Sequence, residues 1–174
     1  MMTISIGKPV EDFSAKATNN TTVSLKALQG TNFVLYFYPK DNTPGCISEG
    51  QAFSEYHPLF LEADTKVFGV SQDTMASHNK FREKQEFPFE LVADTKGELC
   101  ELFDVIRLKR KGEEEFMGIE RSTFLIDKDG ILQHEWRRVK IKDHVDDVLQ
   151  AAQALAGLTQ EEEESTEESS GSGT

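Results

Sequence analysis

Residues 33–46 read Phe33-Val-Leu-Tyr-Phe-Tyr38-Pro39-Lys-Asp-Asn-Thr43-Pro44-Gly45-Cys46, and the order of the rest of the chain follows from them. Phe33 to Tyr38 is an unbroken apolar and aromatic run, of strand length and closed by Pro39. Such a strand needs cover on both faces, which predicts a central strand of an α/β sheet. After the turn, Ile47, Gly50 and Phe53 recur at helical spacing, so a helix is expected to begin near Cys46. Free backbone N–H groups and the positive end of the helix dipole meet at a first helical turn. A cysteine there is favoured as the thiolate, which is the nucleophilic form. Pro39 and Pro44 stiffen the turn and remove donors that would hold water beside the sulfur. Thr43 brings a hydroxyl three residues before the thiol, able to accept a hydrogen bond or to donate one to a bound oxygen. A turn that merely contains a cysteine is the plainer reading. It is disfavoured because free cysteines sit mostly inside packed elements.

The same residues carry a resemblance. Pro39-x-x-x-Thr43-x-x-Cys46 is similar to the active-site signature of peroxiredoxins, and Phe37 to Cys46 resembles the bacterioferritin comigratory protein/PrxQ branch. The likeness continues through Val70-Ser-Gln-Asp73, Phe87-Pro-Phe89 and Gly118-Ile-Glu-Arg121-Ser-Thr-Phe-Leu-Ile-Asp127. It implies a thioredoxin-like fold and a thiol peroxidase in which Cys46 becomes a sulfenic acid while alcohol or water leaves. On residue type alone, Arg121 reads as an arginine opening an edge strand. The resemblance instead implies the cation that holds the thiolate. Glu49, one turn after Cys46, either orients that guanidinium or is a first-turn acid favoured by the helix dipole.

The sequence departs from the family pattern at the resolving cysteine. Its usual position five residues after the first cysteine holds Gln51, and the alternative position in the next helix corresponds to Arg82. The remaining thiol, Cys100, lies beside Leu99 and one turn before Phe103. It reads as a half-buried structural cysteine, with a resolving role as the alternative. A one-cysteine cycle is therefore expected, in which thioredoxin, glutaredoxin or a low-molecular-weight thiol reduces the sulfenic acid. A non-catalytic redox sensor that relays oxidation to a partner protein is the competing reading. A thiol–disulfide oxidoreductase is disfavoured by the lack of any Cys-x-x-Cys.

Composition narrows the rest. A length of 174 residues suits one domain with a sizeable core. We expect a peroxiredoxin domain over 1–156 and an acidic, disordered tail over 157–174, where six glutamates stand without a lysine or arginine. The net charge of −12 and the lack of a basic stripe argue against nucleic acid. No apolar run approaches the roughly 20 residues that span a bilayer, so no membrane partner is expected. The start of the chain lacks a signal-peptide pattern, and two cysteines are no disulfide framework. Both point to the cytoplasm. The four histidines show no ligand spacing and Asp127-Lys-Asp-Gly130 reads as a hairpin turn, so no metal and no cofactor are expected. Trp136 reads as packing, and the chain is expected to be a monomer.

Further elements are read from periodicity and punctuation. A hairpin spans Asp12 to Val23 about Asn19-Asn20, and a short helix Leu25–Leu28 follows a Ser24 cap. Pro58 should end or kink the Cys46 helix near His57. Strands are expected at 66–70, 90–92, 121–126 and 131–139. Helices are expected after a cap at Asp73 or Thr74, over 94–103 and over 143–155, and Arg107 to Glu115 reads as an exposed charged loop. The result is a central mixed sheet flanked by helices, with an N-terminal hairpin.

Overall fold

The computed structural model describes residues 4–158. The strands are β1 (Ser14–Ala17), β2 (Thr21–Ser24), β3 (Asn32–Phe37), β4 (Thr65–Ser71), β5 (Glu90–Ala93), β6 (Ile106–Lys111), β7 (Glu114–Ile119), β8 (Ser122–Ile126) and β9 (Leu132–Trp136). The helices are α1 (Pro44–Glu62), α2 (Met75–Gln85), α3 (Glu98–Leu102) and α4 (His144–Leu155). Seven strands form one sheet in the order β2-β1-β5-β4-β3-β8-β9, and β6 pairs with β7 in a separate ribbon.

β3 lies inside the sheet, parallel to β4 and antiparallel to β8. Every one of its residues is buried, which is why its sequence shows no polar alternation. Phe33, Leu35 and Phe37 point into one core layer with Phe103, Phe124 and Cys100. Val34, Tyr36 and Tyr38 point into the other, with Phe53 and Phe60 of α1, Phe81 of α2 and Val148 of α4. The strand run therefore sits between two apolar layers. Its C-terminal end delivers the chain to the Pro39–Gly45 turn at the top of the sheet, where β4 and β8 flank it.

The N-terminal hairpin forms as expected, with Asn19 at φ +58° and Asn20 at φ +53° in its turn. Thr74 caps α2 by accepting from the Ser77 N–H at 3.1 Å. Asp127 closes the last hairpin by accepting from the N–H groups of Asp129 and Ile131.

Four local expectations need correction. Residues 25–30 form consecutive turns rather than a helix, although Ser24 Oγ does accept from the Ala27 N–H. α3 is only five residues long, because Asp94 to Gly97 is spent capping it. The Asp94 carboxylate accepts from the Leu99 and Cys100 N–H groups at 3.0 and 2.8 Å. α1 does not end at Pro58 but continues through it to Glu62. A proline inside a helix costs about 3 kcal/mol. Phe53 and Phe60, both fully buried on either side of it, contribute about 1.5–3 kcal/mol each, enough to hold the helix together. Arg107 to Glu115 is not a loop but most of the β6–β7 ribbon, which turns at Gly112 with φ +65°. The run of glutamates from residue 161 onward lies outside the described residues.

Candidate active site

Thr43 is the N-cap of α1, Pro44 its first residue and Cys46 its third. The first main-chain bond of the helix runs from the Ile47 N–H to the Thr43 carbonyl at 2.9 Å. That leaves the Gly45 and Cys46 N–H groups with no carbonyl one turn back within the helix, at its positive end. Pro44 belongs at the first helical position, where its missing N–H costs nothing. Cys46 is almost fully buried, at 2% exposure.

Arg121 enters from just before β8 and joins the other two groups. One guanidinium nitrogen donates to Glu49 Oε1 at 2.6 Å, and the other to Cys46 Sγ at 3.5 Å. Gly45 leaves room for this approach. A Cβ there would stand 3.2 Å from the Arg121 guanidinium and 3.3 Å from the Ile141 side chain. The motif's glycine is thus explained by the arginine that crosses it.

The electrostatics of the pair are unequal. Burial works against the Arg121 charge, but the Glu49 carboxylate and the Cys46 sulfur outweigh it and raise its pKa. Burial pushes the Glu49 carboxyl up to about 7, with Arg121 offsetting only part of the lost hydration. Glu49 is fully buried, and its Oε2 has no hydrogen-bond partner among the described residues. The Arg121 contact is short, at 2.6 Å. Below Glu49, Tyr36 stacks on Phe53. Burial, followed by the nearby Glu49 and Cys46 charges, keeps its hydroxyl protonated.

Cys46, Glu49 and Arg121 are therefore in mutual contact. Pro39 is half-buried at the start of the turn and makes no side-chain hydrogen bond. The Thr43 hydroxyl donates to the Lys40 carbonyl at 2.8 Å. Its proton is thereby spent inside the turn, while its lone pairs stay free to accept from an incoming O–H. Cys100 is apart from these groups. It is not half-buried but fully buried in the opposite core layer, where lost hydration and then the Asp94 carboxylate hold it as the thiol. Gln51 donates to Gln85 at 2.9 Å, and Arg82 is committed to the Phe89 carbonyl and Glu90.

Three nearby groups escaped the sequence reading. Ile141 packs where Gly45 leaves room. Lys109 of β6 lies near Arg121 and Cys46; burial and then the Arg121 charge lower its pKa. His144 is buried behind β8, its Nε2 2.8 Å from Thr123 Oγ1, with burial and then Arg121 lowering its pKa to about 4. Only the glycine beside the cysteine hinted that something large must pass close by. Among the described residues no helix is long and apolar enough to cross a membrane.

The AhpC/TSA family pattern matches residues 6–135. Peroxiredoxin Bcp of Bacillus subtilis is 48% identical over 155 residues, which is 89% of this chain and 99% of that protein. The structure of PrxQ from Xylella fastidiosa is similar with a TM-score of 0.82 and 39% identity, over 88% of this chain and 98% of that one. The bacterioferritin comigratory protein of Xanthomonas campestris, a protein with alkyl peroxide reduction activity, aligns with a TM-score of 0.79 and 43% identity. The match covers 83% of this chain and 92% of that one.

Proposed function

The chain belongs to the AhpC/TSA family as a thioredoxin-fold peroxiredoxin of the Bcp/PrxQ kind, and from that premise we propose that it reduces hydrogen peroxide and organic hydroperoxides at Cys46 in a one-cysteine cycle. Peroxidase activity with a thiol as electron donor follows from its relatives. The route through Cys46 and the substrate range are our reading. The alkyl peroxide reduction of the Xanthomonas campestris protein supports the organic part of that range.

In this reading the Cys46 thiolate attacks one peroxide oxygen. The S–O bond forms as the O–O bond breaks, sulfur is oxidised to sulfenic acid, and the other oxygen leaves as alcohol or water after taking a proton. The Arg121 guanidinium, within hydrogen-bond reach of the sulfur, stabilises the thiolate and then the charge moving onto the leaving oxygen. Glu49 fixes the guanidinium so that little reorganisation accompanies the reaction. The Gly45 and Cys46 N–H groups meet the developing charge, and Thr43 accepts from the peroxide O–H. An external thiol then displaces water from the sulfenic acid, and a second releases Cys46 as a disulfide forms between them. Thioredoxin, glutaredoxin or a low-molecular-weight thiol fits this step, since Gln51 and Arg82 replace the usual resolving cysteines. Antioxidant defence in the cytoplasm by a monomeric protein, with a peroxidase domain over 1–156, completes the reading.

The contact of Arg121 with both Cys46 Sγ and Glu49 carries the proposal. Cys46→Ser tests it. Peroxide turnover with dithiothreitol should fall at least about a hundredfold, because serine keeps the shape and loses the nucleophile. A variant that keeps the wild-type rate moves the chemistry elsewhere.

A further inference from the structure

The turn that precedes Cys46 is tied down by a buried polar cluster that the chemistry above does not use. Asp41 sits inside the turn, between Pro39 and Thr43, at 5% exposure. Its Oδ1 accepts from the Tyr38 hydroxyl at 2.7 Å. Its Oδ2 accepts from the Ser77 hydroxyl at 2.8 Å and lies 2.8 Å from His78 Nδ1. The Asp41 N–H donates to Asp73 Oδ2 at 2.9 Å, and Asp73 also accepts from the Ser71 hydroxyl. On its other side His78 Nε2 lies 2.9 Å from the Val92 carbonyl oxygen. His78 itself is fully buried on α2.

Both ring nitrogens face oxygen, Nδ1 the Asp41 carboxyl group and Nε2 the Val92 carbonyl. The ring is thereby held between the turn on one side and β5 on the other. Ligand atoms of Asp41, Asp73 and His78 lie within 4.8 Å of one another, a spacing that suits a cation. Both His78 nitrogens, both Asp41 oxygens and Asp73 Oδ2 are already engaged by protein partners, however, so the cluster is closed by its own hydrogen bonds.

We propose that Asp41 is a positioning residue for the peroxide reaction, and that its pairing with His78 latches the Pro39–Thr43 turn to α2 and β5. The proposal rests on Cys46 being the residue that meets peroxide. The turn holds the α1 N-cap and sets where the Gly45 and Cys46 N–H groups and the Thr43 lone pairs point. The latch therefore acts on the geometry of attack rather than on the sulfur. Reagents that need only an accessible thiolate are indifferent to it, whereas in-line attack on an O–O bond is not.

Two rates separate these roles: single-turnover sulfenic acid formation with hydrogen peroxide, and alkylation by iodoacetamide. In Asp41→Asn the peroxide rate should fall about tenfold or more, with alkylation unchanged or faster. A buried polar pair broken on one side can unfold a protein. Ser77→Ala and Tyr38→Phe, each removing a single donor to Asp41, therefore accompany it and should slow peroxide about two- to fivefold, again without slowing alkylation. Folded variants whose peroxide rates stay within about twofold of wild type overturn the latch. So do peroxide and alkylation rates that fall in step. Wild-type protein whose Cys46 fails to react with peroxide would instead overturn the peroxidase reading beneath it.

Discussion

At the scale of single residues, the site depends on one cation shared between two anions. Arg121→Met keeps much of the side-chain volume and removes the charge. It should slow peroxide attack by one to two orders of magnitude, on the order expected for one lost charge-stabilising donor. Cys46 should also react more slowly with iodoacetamide at neutral pH, because the thiolate loses its partner. Unchanged alkylation would place the guanidinium outside the reaction. Cys100→Ser should retain most turnover with an external thiol, since Cys100 is fully buried beneath Leu99 and Phe103. A disulfide needs Cα atoms within about 7 Å, so reaching Cys46 would mean unfolding α3. A Cys46–Cys100 peptide as the main product of one peroxide equivalent would reverse this. Cys46 was legible in the sequence from its motif, Arg121 only through the family resemblance, and Glu49 only as one of two alternatives. The Thr43 hydroxyl was legible only as an atom. Its direction depends on a turn with Asn42 at φ +64°, and no residue pattern encodes that rotation.

At the scale of elements, reading succeeded where burial imposes a pattern and failed where nothing is buried. β3 from Phe33 and β8 from Phe124 onward are apolar because both faces are covered. The β6–β7 ribbon buries little besides Ile119, and it carries a run of charged residues from Arg107 to Glu115, so its short Ile106–Lys109 alternation was overridden by charge. Pro58 misled in the opposite sense, since local chemistry asked for a break that two buried phenylalanines overrule. Gly50 in α1 gives a test of packing against propensity. Replacing a mid-helix glycine by alanine ordinarily stabilises by about 0.5–1 kcal/mol. Here the new Cβ would stand 2.3 Å from the tip of the Phe87 ring. That ring is pinned by Phe81 and Phe89, at centroid distances of 5.1 and 5.2 Å, and cannot retreat. Overpacking of this kind costs about 1–3 kcal/mol, so Gly50→Ala should lower stability in urea unfolding. A more stable variant would show that α1 can slide away from the Phe87–Phe89 segment.

At the scale of the whole molecule, two buried groups oppose each other as the medium is acidified. His144 is neutral in the fold, its pKa lowered from 6.5 to about 4 by burial and then by Arg121. Its contribution is complete above 6.5 and is lost as pH falls towards 4. Glu49 behaves in the other sense. Its pKa is raised from 4.5 to about 7, so its stabilisation is complete below 4.5 and disappears as pH rises through 7. Urea unfolding at neutral pH and at pH 4.5 should therefore show a smaller acid loss in His144→Gln, by on the order of 2 kcal/mol, and a larger one in Glu49→Gln. Equal acid losses in all three proteins would mean that neither group titrates away from its unfolded value. Removing residues 159–174 should leave the melting temperature and the peroxidase rate unchanged, because from residue 161 onward that segment has no apolar side chain to pack. A drop of several degrees would reveal a contact with the body.

The cross-strand pair of Leu108 and Met117 stands in water, with Met117 63% exposed on the ribbon that leads into Arg121. A thioether so placed in a peroxide-handling protein is itself oxidisable, and its product gains one oxygen atom, the same increment as a sulfenic acid. A singly oxidised chain thus has several addresses of identical mass, Cys46 and the methionines among them. Dimedone, which captures sulfenic acid and ignores sulfoxide, should label the Cys46 peptide alone, and Met117→Leu should shrink the unlabelled share of the oxidised chain.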